Sequence, residues 1–258
     1  MRVTFVGVGE AFDEALPNTS LFVEGEGGEG RAAVLLDCGF TAAAAYFACP
    51  ALAGADREAG PDAVWISHFH GDHFLGLPYL LARWHEAGRS RPLAVRGGPG
   101  AAEKIGAVVD LAYPNLRGKL GFALAVAEVA PGVPFSLAGF AAKAAMTGHG
   151  APCLALRLRV GERRLYYGGD GAPTEACREL VRGCDVVVQE AYGIAAGVPG
   201  HGSVEEALAL AREAGAGTLA VVHVRREVRR ERGGEIRRRL AESGLAAVMP
   251  EPGAVIGP

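Results

Sequence analysis

The sequence predicts an α/β (α+β) protein in which two β-sheets pack face to face and helices cover their outer surfaces, a four-layer αββα sandwich. Half of the 258 residues are hydrophobic, which is enough for a sizeable core. Short apolar runs of strand length recur along the chain, and helical patterns follow groups of them. No internal repeat or linker divides the chain, so residues 1–258 are predicted to form a single domain.

In the first half, runs rich in Val, Leu and Phe and broken by glycine predict strands. An alanine-rich segment at residues 42–48 predicts a short helix. A longer helical pattern covers residues 74–86, with Gly88 as its stop. The predicted strands of this half lie at residues 3–8, 21–24, 33–37, 63–67, 93–96 and 120–128.

In the second half, strand-like runs flank Gly161-Glu162 and predict a hairpin. Ser203, with Glu206 three residues later, forms a capping box that opens a helix over residues 203–214. A further helix is predicted over residues 226–240. The predicted strands lie at residues 140–146, 154–160, 163–167, 185–189 and 218–223, with a short strand pair near Ala247 and Val255.

Composition excludes several classes of protein. A net charge of −3 gives no electrostatic argument for a nucleic-acid binder or a polybasic membrane anchor. Five cysteines without a C-x-x-C pair argue against a disulfide framework or a thiolate zinc site. The N-terminal segment lacks the pattern of a secretory signal, and no apolar stretch reaches the length of about 18 residues that a membrane span needs. We therefore expect a soluble, cytoplasmic protein.

The strongest motif is the run Ser67-His68-Phe69-His70-Gly71-Asp72-His73, directly after a predicted buried strand. Imidazole and carboxylate groups bind zinc and similar divalent metals without thiolates. Alternate residues of an extended turn project to one side, so His68 and His70 are suited to share one metal. Asp72 and His73 then turn towards a neighbouring position, and Gly71 permits the tight backbone. The run therefore predicts a metal site.

Three more candidate ligands lie at other strand-to-loop junctions, where functional side chains often cluster. His149 lies between two predicted strands, Asp170 follows one, and His223 ends one. Each residue alone is more often a hydrogen-bonded histidine or a turn aspartate. Together with the first motif they predict a two-metal centre. Of the seven histidines, only His85, within a predicted helix, has the position of an ordinary surface residue.

The H-x-H-x-D-H run resembles the most specific sequence mark of the metallo-β-lactamase superfamily, and the chain is similar to its ribonuclease Z-like branch over nearly its whole length. Other matching segments are Val6-Gly7-Val8-Gly9, Asn18-Thr19-Ser20 and Leu35-Leu36-Asp37-Cys38-Gly39. The resemblance implies an αββα sandwich of the metallo-β-lactamase type. It also implies the ligand sets, which are His68, His70 and His149 for one metal, Asp72, His73 and His223 for the other, and Asp170 bridging both.

His201, Glu190 and Asp37 are candidates for roles beside the metal ligands. His201 resembles the extra histidine of the ribonuclease Z-like branch, which faces the scissile phosphate, and its alternative is a histidine near a helix start without a catalytic task. Glu190 is a candidate to orient that histidine or a ligand, and its alternative is a surface carboxylate. Asp37 is expected to be a buried acceptor for a ligand histidine. The predicted catalytic set is Asp72, His201 and Glu190.

The predicted reaction follows from charge. Two divalent metals about 3.5–4 Å apart lower the pKa of a bridging water to near neutrality, and the resulting hydroxide attacks phosphorus in line. Asp72 holds the hydroxide as well as a metal. Protonated His201 donates a hydrogen bond to the phosphoryl oxygen or a proton to the leaving alkoxide. Zinc (Zn2+) is the expected metal, with manganese and iron as alternatives.

The predicted substrate is a small phosphodiester or nucleotide, such as a cyclic nucleotide. The tRNA-processing members of the family carry a protruding arm, which in the common bacterial form lies between the counterparts of His149 and Asp170. Here a predicted hairpin fills that interval, so nucleic acid is not the favoured partner. Residues 225–240 carry eight arginines against three glutamates, which indicates either a phosphate-binding face or a solvated helix with i,i+4 ion pairs.

Other functions stay open at this point. They are a ribonuclease Z-like tRNA 3′-processing endonuclease without the arm, an arylsulfatase-like or lactone hydrolase, an iron-dependent oxidoreductase and a non-catalytic nucleotide-binding protein. His201 argues against the oxidoreductase, and the full ligand set argues against the binding protein. A homodimer is also expected from the resemblance. The stripe Phe74, Leu77, Leu81 and Trp84 is either its contact or packs on the sheet.

Overall fold

The computed structural model describes residues 1–27 and 30–257, and this part of the chain forms two seven-stranded sheets. The strands of the first sheet are β1 (Arg2–Gly7), β2 (Ser20–Gly27), β3 (Gly30–Leu36), β4 (Ala63–Ile66), β5 (Leu93–Gly97), β6 (Leu124–Glu128) and β14 (Val255–Ile256). In space they lie in the order β14-β1-β2-β3-β4-β5-β6. The strands from β14 to β3 are antiparallel, whereas those from β3 to β6 run parallel.

The second sheet repeats this division into an antiparallel and a parallel half. Its strands are β7 (Phe135–Leu137), β8 (Phe140–Met146), β9 (Leu154–Val160), β10 (Arg163–Tyr167), β11 (Val186–Glu190), β12 (Thr218–Val222) and β13 (Ala247–Val248). They lie in the order β13-β12-β11-β10-β9-β8-β7. Strands β7 to β10 are antiparallel, and β10 to β13 are parallel.

Helices cover the outer face of each sheet. Those of the first sheet are α1 (Ala42–Ala48), α2 (Gly54–Ala59), α3 (Gly71–Phe74), α4 (Leu77–Glu86), α5 (Ala101–Ala112) and α6 (Leu116–Lys119), and those of the second are α7 (Glu175–Val181), α8 (Val204–Ala214) and α9 (Arg226–Glu242). Three buried clusters separate the layers. One lies between the sheets around Trp65 and Phe140, and each of the others joins a sheet to its helices. The predicted αββα sandwich is confirmed.

The parallel halves of the sheets position most of the candidate functional residues, whereas His149 follows the antiparallel strand β8. Asp37 follows β3, the first metal motif follows β4, and Asp170 follows β10. Glu190 ends β11 and His223 follows β12. Ligands of α/β proteins bind outside the carboxyl ends of such strands, because the loops there converge. The predicted strand-to-loop positions of the candidate ligands therefore meet at one edge of the sandwich.

Three sequence predictions about elements are wrong. The strand expected over residues 120–128 begins only at Leu124, because α6 and its C-cap extend to Leu120. The helix expected over residues 74–86 begins at Leu77, because Pro78 fixes the first turn and Gly76 approaches another loop too closely for a side chain. A Cβ at Gly76 would lie 2.1 Å from the carbonyl oxygen of Gly39. The strands at Ala247 and Val255 do not pair with each other, since β13 joins β12 and β14 joins β1.

The apolar stripe of α4 packs inside the subunit. Leu77, Leu81 and Trp84 are fully buried among residues of the first sheet, and Phe74 is half-buried. Leu77, Leu81 and Trp84 therefore pack on the sheet, as the alternative interpretation of the sequence has it, whereas Phe74 lies in α3 and is only partly covered. The homodimer itself stays a prediction.

The arginine-rich segment forms α9 and is paired with carboxylates. Each of its eight arginines has a carboxylate oxygen within 4.0 Å. Arg226 binds Glu10, and Arg238 binds Glu242 one helical turn away. This favours the solvated helix with ion pairs over a phosphate-binding face. Among the described residues, no helix is both long and apolar enough to cross a membrane.

Candidate active site

The first metal motif is fixed by a buried carboxylate, Asp37. Its Oδ1 accepts the backbone N–H of Ser67 at 2.7 Å, and its Oδ2 accepts the hydroxyls of Ser67 at 2.7 Å and Tyr167 at 2.6 Å. The same Oδ2 lies 2.8 Å from Nδ1 of His73. This contact leaves Nε2 of His73 to face the site. Asp37 therefore has the environment expected of an acceptor for a ligand histidine.

Two groups of side chains converge at this edge. In the first group the ligand atoms all lie within 4.8 Å of one another, and the same is true of the second. The first consists of His68, His70, His149 and Asp170. The second consists of Asp72, His73, Asp170 and His223. All seven residues that the sequence predicts as metal ligands lie in these two groups, and Asp170 belongs to both.

The three histidines of the first group come from two loops that face each other. His149 Nε2 lies 3.2 Å from His70 Nδ1, and His149 Nδ1 is bound to the carbonyl oxygen of Gly200 at 2.7 Å. His68 Nδ1 lies 3.1 Å from the Ser67 hydroxyl. Since Nδ1 of each ring is engaged, Nε2 of His68 and Nε2 of His149 are the nitrogens that face the group.

The second group is almost fully buried. Nε2 of His73 and Nε2 of His223 lie 3.1 and 3.2 Å from Oδ2 of Asp72. Asp170 Oδ1 lies 3.3 Å from Nε2 of His73 and 3.5 Å from Nε2 of His223. His223 has a φ of 56°, a left-handed backbone that few non-glycine residues adopt and that turns its ring into the group.

Asp170 connects the two groups through its two oxygens. Its Oδ2 lies 3.8 Å from Nε2 of His68, whereas its Oδ1 faces His73 and His223. The loop that carries it needs glycine, because Gly171 has a φ of 107° and a Cβ there would lie 2.7 Å from the backbone nitrogen of His149. One carboxylate is thus shared between the two groups.

The residues fit a pair of divalent ions. Nε2 of His68, Nε2 of His73 and Oδ1 of Asp170 are buried polar atoms without a hydrogen-bond partner among the described residues. Such atoms are costly to bury unless something satisfies them. Nitrogen and carboxylate donors at these positions are the ligands that zinc and related metals take. A divalent metal centre accounts for all three atoms.

The charges of the site also favour a bound cation. Burial lowers the pKa of His68 to about 2, so its ring is neutral and its Nε2 is free to bind a cation. Burial also opposes a charge on His223, but the carboxylate of Asp170 and the hydrogen bond to Asp72 outweigh it and raise the pKa to about 9. The carboxylates of the second group therefore attract positive charge to this position.

A histidine–glutamate pair lies beside the centre. Nδ1 of His201 is hydrogen-bonded to Oε1 of Glu190, and Oε2 of Glu190 accepts the backbone N–H groups of Gly171 and Gly202. Ligand atoms of His201, Glu190 and Asp170 lie within 4.8 Å of one another. Glu190 is buried, which is at odds with the surface carboxylate that was its alternative. The geometry suits Glu190 to orient His201.

The sequence did not single out four other residues of the site. A cavity of about 490 Å³ opens above the ligands and is also lined by Glu10, Phe12, Phe40 and Tyr192. Tyr192 stacks on His201 with ring centroids 4.3 Å apart. Its place two residues after Glu190 was the available signal. Phe12 and Phe40 follow β1 and β3 in loops whose neighbourhood depends on tertiary packing.

Known proteins are similar to this chain in sequence and in architecture. The β-lactamase superfamily domain matches residues 32–224. Ribonuclease BN of Escherichia coli strain UTI89 is 32% identical over 216 residues, which cover 63% of this chain and 70% of that protein. The structure of the short form of human tRNase Z superposes with a TM-score of 0.77 at 21% identity, over 100% of this chain and 99% of that one.

A diphosphatase from the PhnP family also superposes, with a TM-score of 0.69 at 17% identity, over 99% of this chain and 97% of that one. At identities this low, the two superpositions establish a likeness of fold alone. The family match covers most of the chain, including all seven proposed ligands. This protein therefore belongs to the metallo-β-lactamase superfamily, the family that its H-x-H-x-D-H run resembles.

Proposed function

We propose that this protein is a binuclear-metal hydrolase that cleaves a small phosphodiester. The arrangement around Asp170 carries the proposal, because one oxygen of this carboxylate faces His68 and the other faces His73. His201 lies beside it, bound to Glu190. Two cations next to a histidine donor suit an ester whose negative charge grows as its bond breaks.

When bound, two divalent ions supply positive charge and a water of lowered pKa. The side chains of the protein hold these ions, orient His201 and supply a proton. The proposed ligands hold the ions, and Glu190 binds Nδ1 of His201 so that its Nε2 remains for the substrate. Burial lowers the pKa of His201, but Glu190 outweighs it and raises the pKa, which favours the protonated ring. That ring donates a hydrogen bond or a proton to the leaving oxygen.

The similar proteins support a phosphorus ester as substrate. The names of ribonuclease BN and tRNase Z state that those proteins act on RNA, whose linkages are phosphodiesters, and the third relative is a diphosphatase. A small substrate is proposed for three reasons. The segment between His149 and Asp170 is the β9–β10 hairpin, the arginines of α9 are paired with carboxylates, and the cavity has the size of a small-molecule site.

Hydrolysis of bis-p-nitrophenyl phosphate by protein reconstituted with zinc, manganese or iron(II) tests this proposal. We expect Asp170→Ala to abolish turnover and His201→Ala to reduce kcat by about 10²–10⁴-fold with its metal content retained. Asp110→Ala is the matched control, because that exposed carboxylate binds only Arg117. No turnover by metal-loaded wild-type protein would contradict the phosphodiesterase and direct the search to aryl sulfates and lactones.

The second candidate is tRNA 3′ processing. The identity with ribonuclease BN favours it, since that relative is the most similar in sequence of the three described above. Cleavage of a precursor tRNA at its 3′ side, with a higher kcat/KM than for small diesters, would support it.

Two further proposals concern the organisation of the protein. We propose that residues 1–258 form one catalytic domain. We also propose a homodimer, which light scattering of the purified protein tests.

A further inference from the structure

We propose that Phe12 and Phe40, called here the aromatic rim, bind a planar aromatic group on the substrate, such as a nucleobase. This inference rests on the proposed function, because it concerns the group that the phosphodiester carries. Phe12 is 73% exposed and Phe40 is 48% exposed, yet both line the cavity above the metal ligands. Exposed large apolar side chains within a binding cavity mark a contact surface for a ligand.

The loops that carry the rim are fastened to each other by Asn18. The Asn18 side chain is buried, and its Oδ1 accepts the backbone N–H of Thr41 at 3.0 Å and the Thr41 hydroxyl at 2.7 Å. Its Nδ2 donates to the carbonyl oxygen of Glu10 at 3.2 Å. One side chain thus holds the residue after Phe40 and the loop of Phe12, so both rings are presented on a fixed frame.

Glu10 completes this frame. Its buried carboxylate accepts the backbone N–H of Phe12 at 2.9 Å through Oε2, and its Oε1 binds Arg226 at 2.8 Å. The negative charge of Glu10 is therefore neutralised from α9. A rigid presentation reduces the conformational entropy that would be lost when a ligand binds, which is characteristic of a preorganised site.

The charge of the cavity limits how many phosphate groups the substrate can carry beside its aromatic group. No lysine or arginine lines the cavity within the described part of the chain, so the proposed metal ions would supply most of its positive charge. A chain of phosphates, as in a polynucleotide or a nucleoside polyphosphate, needs further cations along its length. A single phosphodiester with an aromatic substituent needs only the metal centre and a stacking surface.

Three diesters with the same p-nitrophenolate leaving group test the inference. They are methyl p-nitrophenyl phosphate, phenyl p-nitrophenyl phosphate and thymidine 5′-(p-nitrophenyl phosphate), which differ only in the group that stays on phosphorus. We expect kcat/KM of the metal-loaded protein to be about tenfold or more higher for thymidine than for methyl, since base stacking commonly contributes this much. The phenyl ester distinguishes any aromatic ring from a nucleobase.

Phe12→Ala and Phe40→Ala are the test variants, and both positions are exposed, so the fold is retained. We expect each to reduce kcat/KM for the thymidine and phenyl esters more than for the methyl ester, whose only ring is the p-nitrophenyl group that all three esters share. Phe12→Leu keeps apolar bulk without a ring and should behave like Phe12→Ala. Leu111→Ala, at an 84% exposed position on α5, is the control. Equal losses on all three esters, or no loss, would overturn the inference.

A binding measurement separates this inference from the proposed function. If no ester is cleaved, phosphodiester hydrolysis fails, but the rim is still tested by calorimetry of metal-loaded protein with methyl thymidine 5′-phosphate and dimethyl phosphate. Both ligands carry one charge. Tighter binding of the thymidine ester that is lost in Phe12→Ala supports the rim, and equal affinities for the two ligands contradict it.

Discussion

Oδ2 of Asp37 lies 2.8 Å from Nδ1 of His73, and this contact joins the end of β3 to the motif that follows β4. Partners of this kind fix the orientation of a ligand histidine, and their removal commonly costs about 10–100-fold in metal affinity. We expect Asp37→Ala to weaken zinc binding to that extent, measured by competition with a chromogenic chelator. Tyr167→Phe removes another hydrogen bond to Asp37 and should have a much smaller effect. Equal affinities of Asp37→Ala and wild type would contradict this role.

Glu190 is expected to set the alkaline limit of activity. Burial lowers the pKa of His201, but the hydrogen bond and charge of Glu190 outweigh it, so the pKa is raised. Activity that needs protonated His201 is present below this pKa and is lost as the pH rises through it. Glu190→Gln should therefore move the alkaline limb of the kcat profile to lower pH. Glu205→Gln, an exposed carboxylate on α8, should leave it in place, and an unmoved limb in Glu190→Gln would refute the assignment.

The buried stripe of α4 predicts a large effect on stability. Leu81 is fully buried between α4 and the first sheet, and truncating such a leucine typically costs about 2–5 kcal/mol. We expect Leu81→Ala to lower the free energy of unfolding in urea by this amount at every protein concentration. Leu111→Ala makes the same substitution at an exposed site and should cost little. A loss that depends on protein concentration would point instead to a subunit contact.

The ion pairs of α9 predict that its arginines do not bind nucleic acid. Arg232 and Arg238 are paired with Glu235 and Glu242 on the same helix. We expect Arg232→Gln and Arg238→Gln, singly and together, to leave the affinity for a fluorescein-labelled RNA oligonucleotide unchanged in anisotropy titrations at fixed salt. A marked loss of affinity, with a smaller salt dependence, would identify α9 as a phosphate-binding face.

The clustering of the candidate ligands was predictable because most of their signal is local. Four of them lie in one run of residues, and the others end or follow strands that their apolar patterns reveal. The two short strands at Ala247 and Val255 were paired wrongly, because their partners are distant in sequence. Helix α5 was missed although Ile105 and Val109 have helical spacing and are buried.

The cavity walls were not predictable for a different reason. Phe12 and Phe40 have no motif of their own, and tertiary contacts such as those of Asn18 bring their loops together. Tyr192 lines the cavity and stacks on His201, a contact that the sequence pattern does not reveal. Short sequence motifs thus indicate the candidate metal ligands, whereas the cavity wall arises from tertiary packing.

An anomalous-diffraction map of crystals of the zinc-loaded protein would test the binuclear centre most directly. We expect two peaks about 3.5–4 Å apart, one among His68, His70 and His149 and the other among Asp72, His73 and His223, with Asp170 contacting both. A single peak at full zinc occupancy, or two peaks that do not share Asp170, would contradict a binuclear centre bridged by this carboxylate.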